Sequence, residues 1–284
     1  MTFLRRCLRI AIDAFARFVA DDGWAIASHI ALSALMALFP FLLVVTALAG
    51  MFGSRNLAEE AAKILLEAWP EQVAGPLALE IHGVLTSAGG QLLTVGLVIA
   101  LYFASSGVES LRIGLNRAYD VAEPRPWWLL RLESIAYVIV GAIALLALAF
   151  LVVLAPLIWF SLLRYMPGLQ PIAWLVTFVR FAVAAFVLIV ALVIVHMWLP
   201  AGRRSLLEIV PGILATLLLW LVAGEIFGRY LAEFAFAYAY YYAGLASVMT
   251  ALVFLYLTAS IFIYGGELNA AIARARKRPT QIID

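Results

Sequence analysis

The hydrophobic pattern divides the chain into long apolar segments separated by short polar stretches. The first segment, residues 24–52, contains no Asp, Glu, Lys or Arg. A helix of roughly 20 apolar residues crosses a bilayer core about 30 Å thick, and soluble domains need no such segment. Five more segments follow, at residues 91–109, 135–163, 172–199, 209–231 and 245–268. The pattern predicts an all-α, polytopic membrane protein with six transmembrane helices.

The connecting segments are predicted to lie outside the bilayer, so that residues 1–284 form one integral membrane domain. Residues 54–90 carry five glutamates and proline-glycine turn signals, which predict an extracytoplasmic loop of short helices. Residues 269–284 form a basic tail. Residues 1–22 predict an amphipathic helix, whose apolar stripe is Leu4, Leu8, Ile12, Phe15 and Val19. That helix is interpreted either as lying on the cytoplasmic membrane surface or as packing on the rest of the protein.

The distribution of basic residues predicts the orientation of the spans. Fourteen of the 19 Lys and Arg residues lie in the amino-terminal segment, the second and fourth loops and the tail. Loops rich in Lys and Arg stay on the cytoplasmic side of a membrane. Both termini are therefore predicted to be cytoplasmic, as an even number of spans requires.

Composition limits the classes of function. The chain is 66% hydrophobic and 13% charged, with a net charge of +2, so the whole-molecule charge gives no reason to expect a nucleic-acid partner. Its single cysteine excludes an internal disulfide framework, and the three histidines are far apart in sequence. We expect no metal and no other cofactor.

Polar side chains within the spans are the candidates for function, because burying them in a bilayer is costly. Glu109, Arg112 and Asn116 share one face of the second span, and Pro40 predicts a bend in the first. The candidates near the cytoplasmic side are Ser28, His29, Ser33, Glu109, Arg112, Asn116, His196, Glu267 and Asn269. They are interpreted either as a substrate-binding or gating site or as a structural network.

A second group of charges is predicted near the outer side. Glu225 and Arg229 are one turn apart on the fifth span, and Arg180 enters the fourth span from the same side. These residues are interpreted as an ion pair or as a mouth that binds anionic head groups. The same fifth span carries small residues at four-residue spacing, which predict close helix contact; they are Gly212, Thr216, Gly224 and Gly228.

Enzyme signatures are missing from the sequence. It contains no H-E-x-x-H motif, no glycine-rich phosphate loop and no G-x-S-x-G elbow. The five aspartates are not arranged as the acidic cluster of a two-metal nuclease. We therefore predict no catalytic residues and a protein that is not an enzyme.

Three segments resemble the YihY/BrkB family of bacterial inner-membrane proteins, and the resemblance covers essentially the whole chain. They read ASHIALSALMALFPFLLVV, PGILATLLLWL and FLYLTASIFIYGGELNAAIARA. The family motifs map to Ser28, His29, Ser33, Phe39, Pro40 and Gly266 to Asn269. The resemblance implies six spans and an inner-membrane location. Members of the family were long labelled ribonuclease BN, a label regarded as a misassignment, and others are associated with serum resistance or export of envelope lipids.

Two functional hypotheses follow. The first is an inner-membrane transport protein that exports or flips an anionic amphiphile such as an envelope lipid, with membrane lipids as its partners. The second is a non-transporting membrane scaffold for envelope integrity, in which residues 54–90 recruit an envelope protein. A membrane-bound enzyme ranks third. The sequence leaves a homo-oligomer open.

Overall fold

A computed structural model describes residues 3–51, 90–149, 151, 159, 162–242 and 245–277. Within these ranges every long regular element is an α-helix. The helices are α1 Phe3–Ala20, α2 Gly23–Met51, α3 Gly90–Ala118, α4 Trp127–Ala149, α5 Ala173–Trp198, α6 Leu206–Tyr242 and α7 Ala246–Lys277, with a 3₁₀ helix Pro167–Ile172 before α5. The predicted all-α fold class is confirmed for the described residues.

Five of these helices are long and apolar enough to cross a membrane. The candidate spans in the described ranges are Thr94–Ala118, Trp127–Leu148, Gln170–Trp198, Leu206–Glu233 and Val248–Arg276. The chain is an integral membrane protein. Helix α2 carries a shorter apolar stretch, Gly23–Leu38, among the described residues. The predicted loop at residues 54–90 lies, apart from Gly90, outside the described residues.

Helices α4 and α6 extend into segments that the sequence predicts as connections. Helix α4 begins at Trp127, whereas the polar connection was expected to reach residue 134. The charged side chains of Arg131 and Glu133 sit on this helix because they form ion pairs with neighbouring elements. Helix α6 continues to Tyr242, so the aromatic segment 234–242 is helical and not a connection. No proline or glycine interrupts that segment.

Helix α7 is the centre of the bundle. It contacts α1, α2, α3 and α6, and α2 and α3 also pack extensively on each other. Alanine and glycine on α7 permit these close contacts, since Ala259, Ala270 and Ala271 are all buried. Helices α4 and α5 instead expose many large apolar side chains, as expected of surfaces that face lipid.

Helix α1 lies against α7 on one flank and leaves its apolar stripe uncovered by the described residues. Ala14 and Phe18 are buried, and the hydroxyl of Tyr264 on α7 donates to the carbonyl oxygen of Ala11 at 3.3 Å. Leu8 and Ile12, which belong to the stripe, are exposed. Packing on the protein and an exposed apolar face therefore coexist on different sides of α1.

Helix α2 runs without interruption from Gly23 to Met51, with Pro40 inside it. Membrane helices tolerate an internal proline because neighbouring helices and local adjustments satisfy the freed carbonyl groups. The bend expected at Pro40 stays a prediction.

Candidate functional site

Helices α6 and α7 cross where both carry small residues. A methyl group added to Gly265 would overlap the hydroxyl of Thr216, and one added to Gly212 would overlap the carbonyl oxygen of Gly265. The close contact predicted from the small-residue pattern is confirmed at Gly212 and Thr216. At Gly224 and Gly228, no atom of the described chain lies within 4 Å of such a methyl group. Among the described residues, the close contact therefore involves Gly212 and Thr216 in the first half of α6 and neither Gly224 nor Gly228.

Asn269 connects this crossing to the end of α3. Its Oδ1 accepts a hydrogen bond of 2.6 Å from the backbone N–H of Gly212, and its Nδ2 donates to the Tyr119 hydroxyl at 3.4 Å. Asn269 is fully buried, and burial raises the pKa of Tyr119, so this hydroxyl stays protonated. Asn269 thus links three helices through a single amide.

The network continues into the connection between α5 and α6. The guanidinium carbon of Arg204 lies 3.8 Å from the ring centroid of Tyr119, and its Nη2 donates to the carbonyl oxygen of Ala201 at 2.9 Å. Burial lowers the pKa of Arg204. The Oδ1 of Asn116 accepts a hydrogen bond of 2.7 Å from the backbone N–H of Ala201. Asn116 therefore holds the α5–α6 connection against the end of α3.

The α3–α4 connection carries an ion-pair cluster formed by Glu123, Arg125 and Glu133. Arg125 Nε donates to Glu123 Oε1 at 2.7 Å, and Arg125 Nη1 lies 2.8 Å from Glu133 Oε2. A further Arg125 nitrogen donates to the carbonyl oxygen of Leu199 at 3.1 Å. Hydrogen bonds from Arg125 and then from Asn116 lower the pKa of Glu123 to about 2, and the same pairing raises the pKa of Arg125.

Arg112 is the most deeply buried cation of the described chain, with 1% of the residue exposed. Its Nη2 donates to Ser134 Oγ at 2.8 Å and to the carbonyl oxygen of Leu130 at 3.0 Å, both on α4. Glu133 Oε2 lies 4.0 Å from the same nitrogen. The Nε and Nη1 atoms are buried and have no hydrogen-bond partner among the described residues. Arg112 thus keeps unused donors in the interior.

Glu109 forms its ion pair with Arg131 and not with Arg112 in the described structure. Its Oε2 lies 3.1 Å from Nη1 of Arg131 on α4. Arg131 also donates to Ser106 Oγ and to the carbonyl oxygen of Tyr102. The residues predicted to share one face of α3 therefore engage different partners, and Glu109 and Arg131 fix α4 on the more exposed flank.

The polar residues at the start of α2 meet α3. His29 Nδ1 lies 2.6 Å from Ser110 Oγ and 3.5 Å from Ser33 Oγ. Ser33 is buried and packs near Gly107, whereas Ser28 is exposed. The structure therefore brings His29 and Ser33 together with Ser110, a residue that the sequence did not single out, and leaves Ser28 apart.

The two remaining inner candidates are buried separately. His196 Nδ1 donates to the carbonyl oxygen of Leu192 at 2.9 Å, and the ring packs on Phe262 with centroids 4.7 Å apart. This arrangement is that of a core histidine. Glu267 is also buried, and its two carboxyl oxygens accept no hydrogen bond from the described residues.

The outer candidates form no joint cluster in the described chain. Arg229 Nε lies 2.7 Å from Glu225 Oε1, and both side chains are largely exposed. The guanidinium of Arg180 lies 4.6 Å from the ring centroid of its neighbour Phe181. The intrahelical ion pair is the arrangement observed for Glu225 and Arg229.

Sequence reasoning missed several members of the inner network because they lie in connections or in the first turns of α4, which a hydrophobic pattern treats as boundaries. They are Tyr119, Glu123, Arg125, Glu133, Ser134 and Arg204. The available signal was Glu123 and Arg125 within a run containing Pro124 and Pro126, because two prolines rigidify a connection and keep charged neighbours in place. Among the described residues, no three His, Cys, Asp or Glu side chains are grouped to hold a metal ion.

Comparison with known proteins agrees with this membrane architecture. The chain is 26% identical over 270 residues to the ribonuclease-like protein YfkH of Bacillus subtilis (strain 168), covering 95% of this chain and 97% of that protein. No solved structure matches the chain. The family model described as Virulence factor BrkB matches residues 14–282. Because this match spans nearly the whole sequence, the chain belongs to the BrkB virulence factor family.

Proposed function

We propose that the protein is an inner-membrane transporter that exports or flips an anionic amphiphile such as an envelope lipid. The observation that carries the proposal is the buried Arg112, whose Nε and Nη1 have no partner among the described residues. A guanidinium keeps its charge in proteins and binds phosphate or carboxylate through paired N–H donors. An oxygen of an anionic head group would accept a hydrogen bond from one of these nitrogens, Nε or Nη1, and offset the cost of burying the cation.

The proposal includes the arrangement of the chain in the membrane. Six spans with both termini in the cytoplasm are supported by the length of α2, 29 residues, together with the five other apolar helices. The bias of Lys and Arg supports the same orientation. The exposed apolar stripe of α1, beside exposed arginines, supports a helix lying on the cytoplasmic membrane surface.

Arg131 provides a matched control for Arg112, because it is also an arginine at the α3–α4 contact but pairs with Glu109. Flipping of a fluorescent anionic phospholipid is measured in reconstituted vesicles. Labelled lipid that moves from the inner to the outer leaflet becomes accessible to a membrane-impermeant quencher, and its fluorescence falls. Arg112→Gln should abolish flipping, while Arg131→Gln should keep most of it. Equal activity of wild type and Arg112→Gln, with both folded, would refute the assigned role.

The outer charges belong to the same proposal. Arg180 and Arg229 would meet head groups on the extracytoplasmic side, and Arg229 is accessible for this role since 80% of its side chain is exposed. Arg229→Ala should reduce flipping of anionic lipid more than flipping of a zwitterionic one. If Arg229→Ala reduced flipping of the two lipids equally, head-group charge would not explain the role of Arg229.

A membrane scaffold is the second candidate, and the inner network favours it. Asn116, Asn269 and Arg125 each hydrogen-bond to more than one element, as structural residues do. In a scaffold, residues 54–90 would recruit an envelope protein. Deleting that loop should then remove the envelope phenotype although purified protein moves no lipid.

We further propose that the protein is not an enzyme and binds no nucleic acid, although its relative YfkH is named ribonuclease-like. The positions of two aspartates support this proposal. Asp22 pairs with Arg117 at 2.8 Å, and Asp13 lies 3.5 Å from Arg274, so both carboxylates are neutralised by arginine. Cleavage of RNA by the purified protein, lost in Asp13→Asn or Asp22→Asn variants, would overturn it.

A further inference from the structure

Glu267 occupies an unusual position at the contact of α7 with the turn between α1 and α2. The residue is 1% exposed, and neither carboxyl oxygen accepts a hydrogen bond from the described residues. Another acid, Asp21 at the turn between α1 and α2, acts on Glu267 electrostatically. Two carboxylates are both acceptors, so a hydrogen bond between them exists only when one of them carries a proton.

The arginines that act on Glu267, Arg17 and Arg274, do not hydrogen-bond to it in the described structure. Arg274 on α7 lies 3.5 Å from Asp13 and directs another nitrogen at the carbonyl oxygen of Ala118. Arg17 on α1 is exposed. Neither arginine forms an ion pair with Glu267 in the described structure. An ionised Glu267 would therefore be a buried charge without a hydrogen-bonded counterion, which is energetically costly.

The other elements packed on α7 add no hydrogen-bond donor to Glu267. Helix α3 contributes Tyr119, which hydrogen-bonds to Asn269, and α6 contributes Glu208, which lies near Tyr119. Helix α2 contributes His29, which is bonded to Ser110. The described surroundings of Glu267 thus offer its carboxyl oxygens no hydrogen-bond donor.

We propose that Glu267 is a reversible proton-binding site in which the protonated carboxyl group donates to Asp21. Loss of the proton leaves two adjacent carboxylates, whose repulsion opens the contact between the α1–α2 turn and α7. Arg17 and Arg274 are then the nearest cations for the new charge. Coupling of this step to lipid movement rests on the proposed transport function, whereas proton binding itself does not.

Infrared difference spectroscopy of the full-length protein in vesicles tests proton binding directly. Wild type at neutral pH should show the carbonyl-stretch band of a protonated carboxylic acid, and the band should disappear in alkaline buffer. Glu267→Gln should lack the band, and Glu225→Gln, which removes an exposed acid, should retain it. Asp21→Asn should alter the band, because the partner of the proposed hydrogen bond is changed. A wild-type spectrum identical to that of Glu267→Gln would overturn the inference.

Flipping of the anionic lipid under an imposed pH gradient tests the coupling. Wild-type flipping should change severalfold with the gradient, and Glu267→Gln should flip at a rate that the gradient does not alter. If the band is present but no lipid moves, the proton site stands and the transport proposal fails. If lipid moves and the band is absent, transport stands and the proton site fails. The thermal stability of each variant in detergent verifies that it is folded.

Discussion

The side chain of Asn269 on α7 accepts a hydrogen bond from the backbone N–H of Gly212 on α6, with 2.6 Å between Oδ1 and the nitrogen. The contact explains why a buried amide occupies this position. Pro211, which precedes Gly212 inside α6, has no N–H of its own. The N–H of Gly212 is bound by a side chain from α7, which fixes the two helices in register.

Asn269→Leu should destabilise the protein by about 1–3 kcal/mol, because it removes a buried hydrogen bond between α6 and α7 at nearly constant volume. Thr177→Val is a suitable control, since the Thr177 hydroxyl is exposed and bonds only to the carbonyl of its own helix. The stability of both variants is measured as the midpoint of thermal unfolding in detergent. A midpoint for Asn269→Leu equal to that of the control would contradict the assigned role.

Gly265→Ala should destabilise the α6–α7 contact by about 1–3 kcal/mol, because the added methyl group overlaps Thr216 and the helices must separate. Gly224→Ala provides the matched control. No described atom lies within 4 Å of its added methyl group. The control should be neutral or stabilising by about 0.5–1 kcal/mol, as expected for alanine in a helix. Equal unfolding midpoints for the two variants would show that the crossing is not tightly packed.

Glu123 should make stability depend on pH in the acidic range. Its pKa of about 2 lies below the ordinary 4.5, so its contribution to stability is complete above pH 4.5 and is lost as the pH falls toward 2. Glu123→Gln should lower the thermal midpoint at neutral pH and should flatten its fall between about pH 5 and 3. Parallel curves for wild type and variant would disprove the pairing with Arg125. Glu225→Gln, at an exposed pair, should leave the curve unchanged.

The apolar stripe of α1 should enter the membrane surface. Cys7 is the single cysteine of the chain and is exposed on α1, so an environment-sensitive fluorophore can be attached there. Shallow spin-labelled lipids should quench this probe. Replacing Leu8 and Ile12 by Asn should reduce the quenching, whereas replacing the exposed Thr177 by Asn should not. Quenching that is unchanged by the stripe variant would indicate that α1 stays in water.

The spans could be predicted because hydrophobic length is a local property of the sequence. The predicted fifth span, residues 209–231, lies within α6, and the fourth, residues 172–199, nearly coincides with α5. Their limits were less accurate, as the early start of α4 shows. Arg131 and Glu133 look like connection residues in sequence, and only their partners on other elements make them compatible with a helix.

The site was predictable as a list of residues but not as an arrangement. Glu109 and Arg112 are three positions apart, and helical spacing placed them together. In the structure Glu109 pairs with Arg131, whereas Arg112 turns toward Ser134. Spacing along one helix gives no information about which neighbouring helix supplies the partner, so the pairing depends on how the helices pack.

The sequence by itself determined that the chain is an all-helical membrane protein, since apolar segments of this length have no other stable environment. It also singled out the buried polar residues, because each is costly within such a segment. Only the tertiary structure decided which of them are satisfied. Asn269 binds Gly212, whereas Nε and Nη1 of Arg112 and both carboxyl oxygens of Glu267 have no hydrogen-bond partner among the described residues. These outcomes depend on distances between helices that are far apart in sequence.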